Sequence, residues 1–104
     1  MEINLVYVTL ATTHEAKMIG KRLVSDRLAA GVNIIDNINS IYWWDGDVQE
    51  AREAILIAKT KKSLVPELIE KVKSLHSYSC PCVVSLPVLD GYGAFLDWVA
   101  EETK

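Results

Sequence analysis

The chain has 104 residues, of which 50% are hydrophobic and 24% are charged, and this composition predicts one globular domain over residues 1–104. Its net charge of -3 and the lack of a basic run argue against nucleic-acid binding. No apolar stretch approaches the ~18 residues of a membrane span and no basic region precedes the first apolar run, so we expect neither a membrane anchor nor a signal peptide.

The first two predicted elements are a strand and a helix. Residues 3–10 are rich in β-forming side chains and predict a strand. Thr12 and Glu15 have the spacing of a capping box, which starts a helix. The apolar stripe that follows at near-helical spacing consists of Ala16, Ile19, Leu23 and Leu28. We expect the Ala-Ala-Gly sequence at 29–31 to end this helix.

A long hairpin comes next, centred on Asp45-Gly46, a dipeptide that readily takes the positive φ angles of a type I′ turn. Its arms begin near residue 32 and end near residue 60, so each has roughly 13 residues and a length of about 43 Å. A compact domain of this size is only about 33 Å across when treated as a sphere. The hairpin must therefore bend or its tip must leave the body, and Asp36-Asn37 predicts a bulge or kink in the first arm.

The second half of the chain predicts a helix, a strand and a short terminal helix. Ser63 is the expected N-cap of the first of these helices, with Pro66 in its first turn. The buried stripe of that helix is expected to be Leu64, Leu68, Ile69, Val72 and Leu75. A strand is predicted over 82–89, and a helix over 94–102 is expected to pack through Phe95, Trp98 and Val99.

The order of these elements is βαββαβ, with a long central hairpin and an extra C-terminal helix, which predicts an α+β domain of the ferredoxin-like class. Helices would cover one face of its antiparallel sheet, and in so hydrophobic a chain another subunit is the expected cover for the other face. Aromatic side chains are frequent interface anchors. We therefore expect Tyr42, Trp43 and Trp44 to lie in an interface between subunits rather than to bind a small molecule.

Two cysteines near the fourth strand carry the candidate metal site. Cys80 and Cys82 flank one proline, and a disulfide across so small a loop would be strained, so we expect reduced thiols and a cytoplasmic location. With His76 they form the pattern His-x3-Cys-Pro-Cys, whose thiolates and imidazole suit Cu(I) or Zn(II). The alternative is that both cysteines are small buried hydrophobes and that His76 caps the second helix.

The whole chain resembles the CutA family, and five segments in the family's order and spacing carry the resemblance. They are 29–35 (AAGVNII), 40–46 (SIYWWDG), 59–60 (KT), 76–81 (HSYSCP) and 96–98 (LDW). The resemblance implies a ferredoxin-like fold, a homotrimer similar to PII-type signalling proteins, clefts between subunits, and a part in tolerance of divalent cations. The family usually has cysteine at Gly31, proline at Ser77 and glutamate at Cys82, so the ligand set for a metal would differ here.

The leading interpretation is a CutA-like homotrimer that binds copper or another divalent metal ion and contributes to cation tolerance. A second is a PII-like regulatory trimer that holds a small anion in inter-subunit clefts around Lys59, Tyr78 and Trp98. A third is a purely structural trimer. The sequence has no catalytic triad pattern and no glycine-rich phosphate loop, so we expect neither an enzyme nor an organic cofactor.

Overall fold

The computed structural model describes residues 2–104, which form a four-stranded antiparallel sheet and three α-helices. The strands are β1 (Ile3–Leu10), β2 (Gly31–Trp44), β3 (Asp47–Lys61) and β4 (Val83–Pro87). The helices are α1 (Thr13–Ser25), α2 (Val65–Leu75) and α3 (Gly93–Glu102). The sheet has the order β2-β3-β1-β4. The α+β class is confirmed, and the elements follow the predicted order along the chain.

The hydrophobic core lies between one face of the sheet and helices α1 and α2. Alternate residues of β1 point into it, because successive strand side chains point to opposite faces. The buried side chains of this cluster include Val6, Val8, Leu10, Ile19, Leu23, Leu56, Leu68 and Val72. Within residues 2–104 no helix is long and apolar enough to cross a membrane.

The opposite face of the sheet, which we call the open face, is also apolar. Strand register places apolar side chains beside one another across all four strands, and these are Leu5, Tyr7, Ile35, Ile55, Ile57, Val84 and Leu86. These side chains are half-buried or exposed, in contrast to the fully buried residues that alternate with them. An apolar face of this extent is typical of a surface that contacts a partner.

Helix α1 begins as predicted and ends earlier than predicted. The Thr12 hydroxyl accepts from the Glu15 N–H at 3.1 Å, which confirms the N-cap. At the other end Arg27 has φ 59°, and the N–H of Leu28 donates to the Leu23 carbonyl at 2.9 Å. This is a Schellman motif with arginine in the position that glycine usually takes. Leu28 therefore lies in the loop that follows the helix. Its side chain is buried in the core but is not part of the helical stripe.

The later elements also differ from their predicted bounds. Ser63 lies in a 3₁₀ turn, and α2 has Leu64 as its N-cap without a side-chain hydrogen bond, so the Ser63 cap was wrong. Strand β4 is shorter than predicted by one residue at its start and two at its end. On α3 only Val99 is buried, whereas Phe95 and Trp98 are exposed and lie against each other with ring centroids 5.6 Å apart.

The β2–β3 hairpin extends beyond the body of the sheet. Asp45 and Gly46 have φ 52° and 82°, which confirms the type I′ turn. The bulge is confirmed between Ile35 and Ile38, where the register shifts by one residue. Strand β1 pairs with β3 only as far as Ala54, so the outer hairpin is a two-stranded ribbon. The molecule measures 44 × 25 × 22 Å, which agrees with a projecting tip.

We expect Gly46→Ala to lower the free energy of unfolding by about 1 kcal/mol, because a Cβ at positive φ is strained even where space is free. Gly93→Ala is the matched control, since that glycine also has open space around it but does not need a positive φ. Denaturant titration at one fixed protein concentration measures both changes. Equal effects of the two substitutions would contradict the turn assignment.

Candidate functional site

A cleft of about 680 Å³ lies where the ribbon leaves the body of the sheet. Its lining residues come from β1, β2 and β3 and from the loop between α2 and β4. Four aromatic residues line it, namely Tyr7, Tyr42, Trp44 and Tyr78. Glu53, Cys80 and Cys82 line it as well. Residues from the predicted metal site, the predicted ligand cleft and the predicted interface thus meet in one place.

Glu53 is the only charged residue among the described residues that line this cleft. It stands opposite Ile38, immediately after the bulge, and is only 8% exposed. The Tyr78 hydroxyl donates to Glu53 Oε2 at 2.8 Å. Burial of Tyr78, together with this hydrogen bond and the negative charge of Glu53, raises the pKa of Tyr78 well above its usual range. Tyr78 therefore remains the donor in this hydrogen bond, and Glu53 is the acceptor.

Hydrogen bonds that involve His76 and Glu15 hold the loop that carries Tyr78 in place. The His76 Nε2 lies 2.7 Å from the Thr9 carbonyl oxygen, and the Tyr78 N–H donates to His76 Nδ1 at 3.1 Å. A carbonyl oxygen can only accept and an amide N–H can only donate, so Nε2 carries a proton and Nδ1 is the acceptor. The Glu15 carboxylate accepts from the Ser77 N–H at 2.8 Å. Both ring nitrogens of His76 are thus used within the chain.

The candidate metal ligands differ in their availability. Cys80 and Cys82 are free and exposed, so the alternative that they are small buried residues is wrong. His76 is the C-cap residue of α2, as the alternative predicted, although its ring bonds the Thr9 carbonyl rather than the helix end. Among residues 2–104 no group of three or more His, Cys, Asp or Glu side chains is placed to hold a metal ion. The thiols fit a soft ion, whereas His76 fits only if it gives up its hydrogen bonds.

The residues of the predicted anion cleft lie apart within one chain. Tyr78 lines the large cleft, and Trp98 lines a smaller cavity of about 280 Å³ with Arg27 and Glu102. Lys59 lines neither of them; its ammonium donates to the Asn33 side chain, and burial lowers its pKa. The inter-subunit cleft around these three residues stays a prediction about the assembly.

Two of the three predicted interface aromatics line the cleft. Tyr42 and Trp44 face it, whereas Trp43 points to the other side of the ribbon and is 74% exposed. The sequence reasoning missed Glu53 and Tyr7. The available signal was the position of Glu53, which shares the strand face of Ile55 and Ile57 and so places a carboxylate in an apolar row.

Comparisons with known proteins agree on one family. The profile of the CutA1 divalent ion tolerance protein family matches residues 4–102. The chain is 43% identical over 100 residues to the divalent-cation tolerance protein CutA of Thermus thermophilus, covering 96% of this chain and 97% of that protein.

Solved structures of the same family are similar over almost their whole length. The crystal structure of CutA1 from Oryza sativa has a TM-score of 0.97 with this chain at 39% identity, and the match covers 100% of this chain and 95% of that one. The structure of the periplasmic divalent cation tolerance protein CutA from Archaeoglobus fulgidus has a TM-score of 0.95 at 39% identity, covering 98% and 99%.

We expect a double-mutant cycle of Tyr78→Phe and Glu53→Gln to give a coupling energy of about 1.5–3 kcal/mol, because the hydrogen bond joins a hydroxyl to a buried charge. Chemical denaturation of the four proteins measures it. Tyr92→Phe is the control, since Tyr92 is 78% exposed and lies outside the cleft. Additive effects of the two substitutions would show that the bond does not stabilise the loop.

Proposed function

This chain belongs to the CutA1 divalent ion tolerance protein family, and we propose that it contributes to cation tolerance as a homotrimer that binds the metal ion itself. We interpret the strand order β2-β3-β1-β4 as ferredoxin-like and the assembly as PII-like. The role is one of binding and not of catalysis. The observation that carries the metal proposal is the pair of free, exposed thiols on one cleft.

The apolar open face and the ribbon support the trimer. Folding leaves Ile35, Val84 and Leu86 exposed, and an apolar side chain that stays in water does not stabilise a single subunit. A two-stranded ribbon is also marginal in water without further packing. Contact with neighbouring copies would cover both features at once, and obligate interfaces are large and apolar in this way. Three copies are what the resemblance to PII-type proteins implies.

The thiols favour Cu(I) over harder ions. Thiolate is a soft ligand, and soft ligands select Cu(I) and zinc over magnesium or manganese. Binding of a metal must displace the thiol protons, so affinity falls as the pH drops below the range in which the thiols ionise. Reduced Cys80 and Cys82 also suit a cytoplasmic location. His76 is not part of this ligand set, because both of its nitrogens are already bonded.

The charge of the cleft favours a cation over an anion. Its only charged lining residue, among those described, is Glu53, and a carboxylate repels an anionic ligand. The PII-like alternative therefore needs Lys59 of another subunit to bind the anion. The purely structural alternative needs both thiols to be without a ligand-binding role. Both alternatives predict that substitution of the cysteines leaves metal affinity unchanged.

We expect Leu86→Glu to dissociate the trimer, because it places a charge on the open face at a side chain that is 49% exposed in one subunit. Leu89→Glu is the matched control, since Leu89 lies beyond β4 and is 93% exposed. Sedimentation equilibrium compares the two variants with the parent. A parent that is monomeric at micromolar concentration, or a Leu86→Glu trimer as stable as the parent, would overturn the assembly proposal.

We expect Cys80→Ser and Cys82→Ser each to reduce Cu(I) affinity by more than tenfold, because each removes one thiolate. His76→Asn is expected to retain affinity within a few-fold. Isothermal titration under reducing conditions measures all three, with sedimentation to verify that the assembly is unchanged. Loss of Cu(I) binding in His76→Asn with an intact assembly would make His76 a ligand. Unchanged binding in the double cysteine variant would contradict the thiol site.

A further inference from the structure

We infer that the same cleft binds a small organic cation, one that carries an ammonium or guanidinium group, between Glu53 and the four aromatic side chains. This ligand is distinct from the metal ion proposed above, and the side chains that attract it are Glu53 and the aromatic residues rather than the thiols. It goes beyond cation tolerance as the family name describes it. The inference rests on the charge of the cleft, on its aromatic lining and on its size, and it requires that the cleft stay open between the subunits of the proposed trimer.

The charge of the cleft is uncompensated. Glu53 is 8% exposed, and no lysine, arginine or histidine among residues 2–104 forms an ion pair with it. Its Oε2 accepts from Tyr78, whereas Oε1 has no donor within the described part of the chain and is not sealed from the cleft. A buried carboxylate without a counter-charge is unfavourable, so a cation placed beside it gains an opposite charge that water cannot screen.

The aromatic lining adds a second attraction for the same kind of ligand. Tyr7, Tyr42, Trp44 and Tyr78 border the space in front of Glu53. The faces of such rings carry negative potential and attract a cation that stands within about 6 Å of the ring centre. A carboxylate together with several rings is the usual arrangement for recognition of ammonium groups. An uncharged ligand of the same shape would gain only the apolar contact.

The other ligand classes fit the cleft less well. An anion would meet Glu53 and no basic side chain among the lining residues. A magnesium or calcium ion needs about six or more oxygen ligands, and Glu53 offers one carboxylate in a largely aromatic surround. The volume of about 680 Å³ lies within the range of small-molecule sites. A lysine or arginine from a second copy has the right charge, and the experiment separates that source from a free ligand.

The test uses choline chloride as the probe and 3,3-dimethyl-1-butanol, its uncharged isostere, as the control ligand. Both are titrated into the assembled protein at constant ionic strength, while the indole N–H signals are followed by NMR. We expect choline to shift the Trp44 signal in a saturable way and to leave that of Trp98 unchanged, because Trp98 lines the other cavity. The isostere is expected to bind at least tenfold more weakly.

Substitutions then assign the interaction to its residues. Glu53→Gln is expected to weaken choline binding by roughly tenfold or more, and Trp44→Leu serves as a second variant if Glu53→Gln fails to fold. Glu50→Gln is the matched control, since it lies exposed on the same strand outside the cleft and should have no effect. The choline titration contains no metal ion, so its outcome is independent of the metal proposal.

Three results would overturn the inference. The first is equal binding of choline and its isostere, which would make the cleft simply apolar. The second is unchanged affinity in Glu53→Gln. The third is the absence of a saturable shift with choline. If Glu53→Gln then also dissociates the assembly, a basic side chain of a second copy occupies the cleft.

Discussion

The length of the β2–β3 hairpin relative to its neighbours determines the shape of this protein. Strand β3 has 15 residues and pairs with β2 from Asp47 to Lys59, with one interruption at the bulge, whereas β1 has only eight residues to offer it. Beyond Ala54 there is no third strand on that side among the described residues, so the ribbon must continue with one partner. A ribbon of this kind exposes aromatic side chains that a single subunit cannot cover. It also opens a corner at its base, and the cleft occupies that corner.

The bulge decides which side chains line the cleft. Before the bulge the odd-numbered residues of β2 share a face with Ile55 and Ile57, and after it the even-numbered residues do. One extra residue therefore brings Tyr42 and Trp44 to the side of Glu53 and turns Trp43 away. A continuous ladder would reverse this, because a shift of one residue moves every side chain to the other face. A strained position at Asn37, with φ 57°, is the local cost of that arrangement.

Local signals in the sequence predicted most of the fold, and contacts between distant segments explain what was missed. The Asp45-Gly46 turn, the Thr12 cap and the bulge each depend on neighbouring residues, and all three are present. The end of α1 was misplaced because burial of Leu28 against the sheet overrides the poor fit of arginine to positive φ. Glu53 was overlooked because its meaning depends on Tyr78, which lies 25 residues away and arrives only through the fold. Metal ligation by His76 could not be judged from spacing, since its partner Thr9 lies on β1.

The distribution of charge along β3 separates a cation site from an anion site. Glu53 and Lys59 lie on the same face of the strand, six residues and therefore about 20 Å apart. The apolar side chains of Ile55 and Ile57 lie between them and belong to the face that we expect a neighbouring subunit to cover. A ligand in the cleft is thus close to the carboxylate of Glu53. The ammonium group of Lys59 in the same subunit is too far away to attract an anion there through water. The thiols, the carboxylate and the rings all favour positive charge at this end of the sheet. This is why we propose both a metal ion, held by the thiols, and an organic cation, held by the carboxylate and the rings.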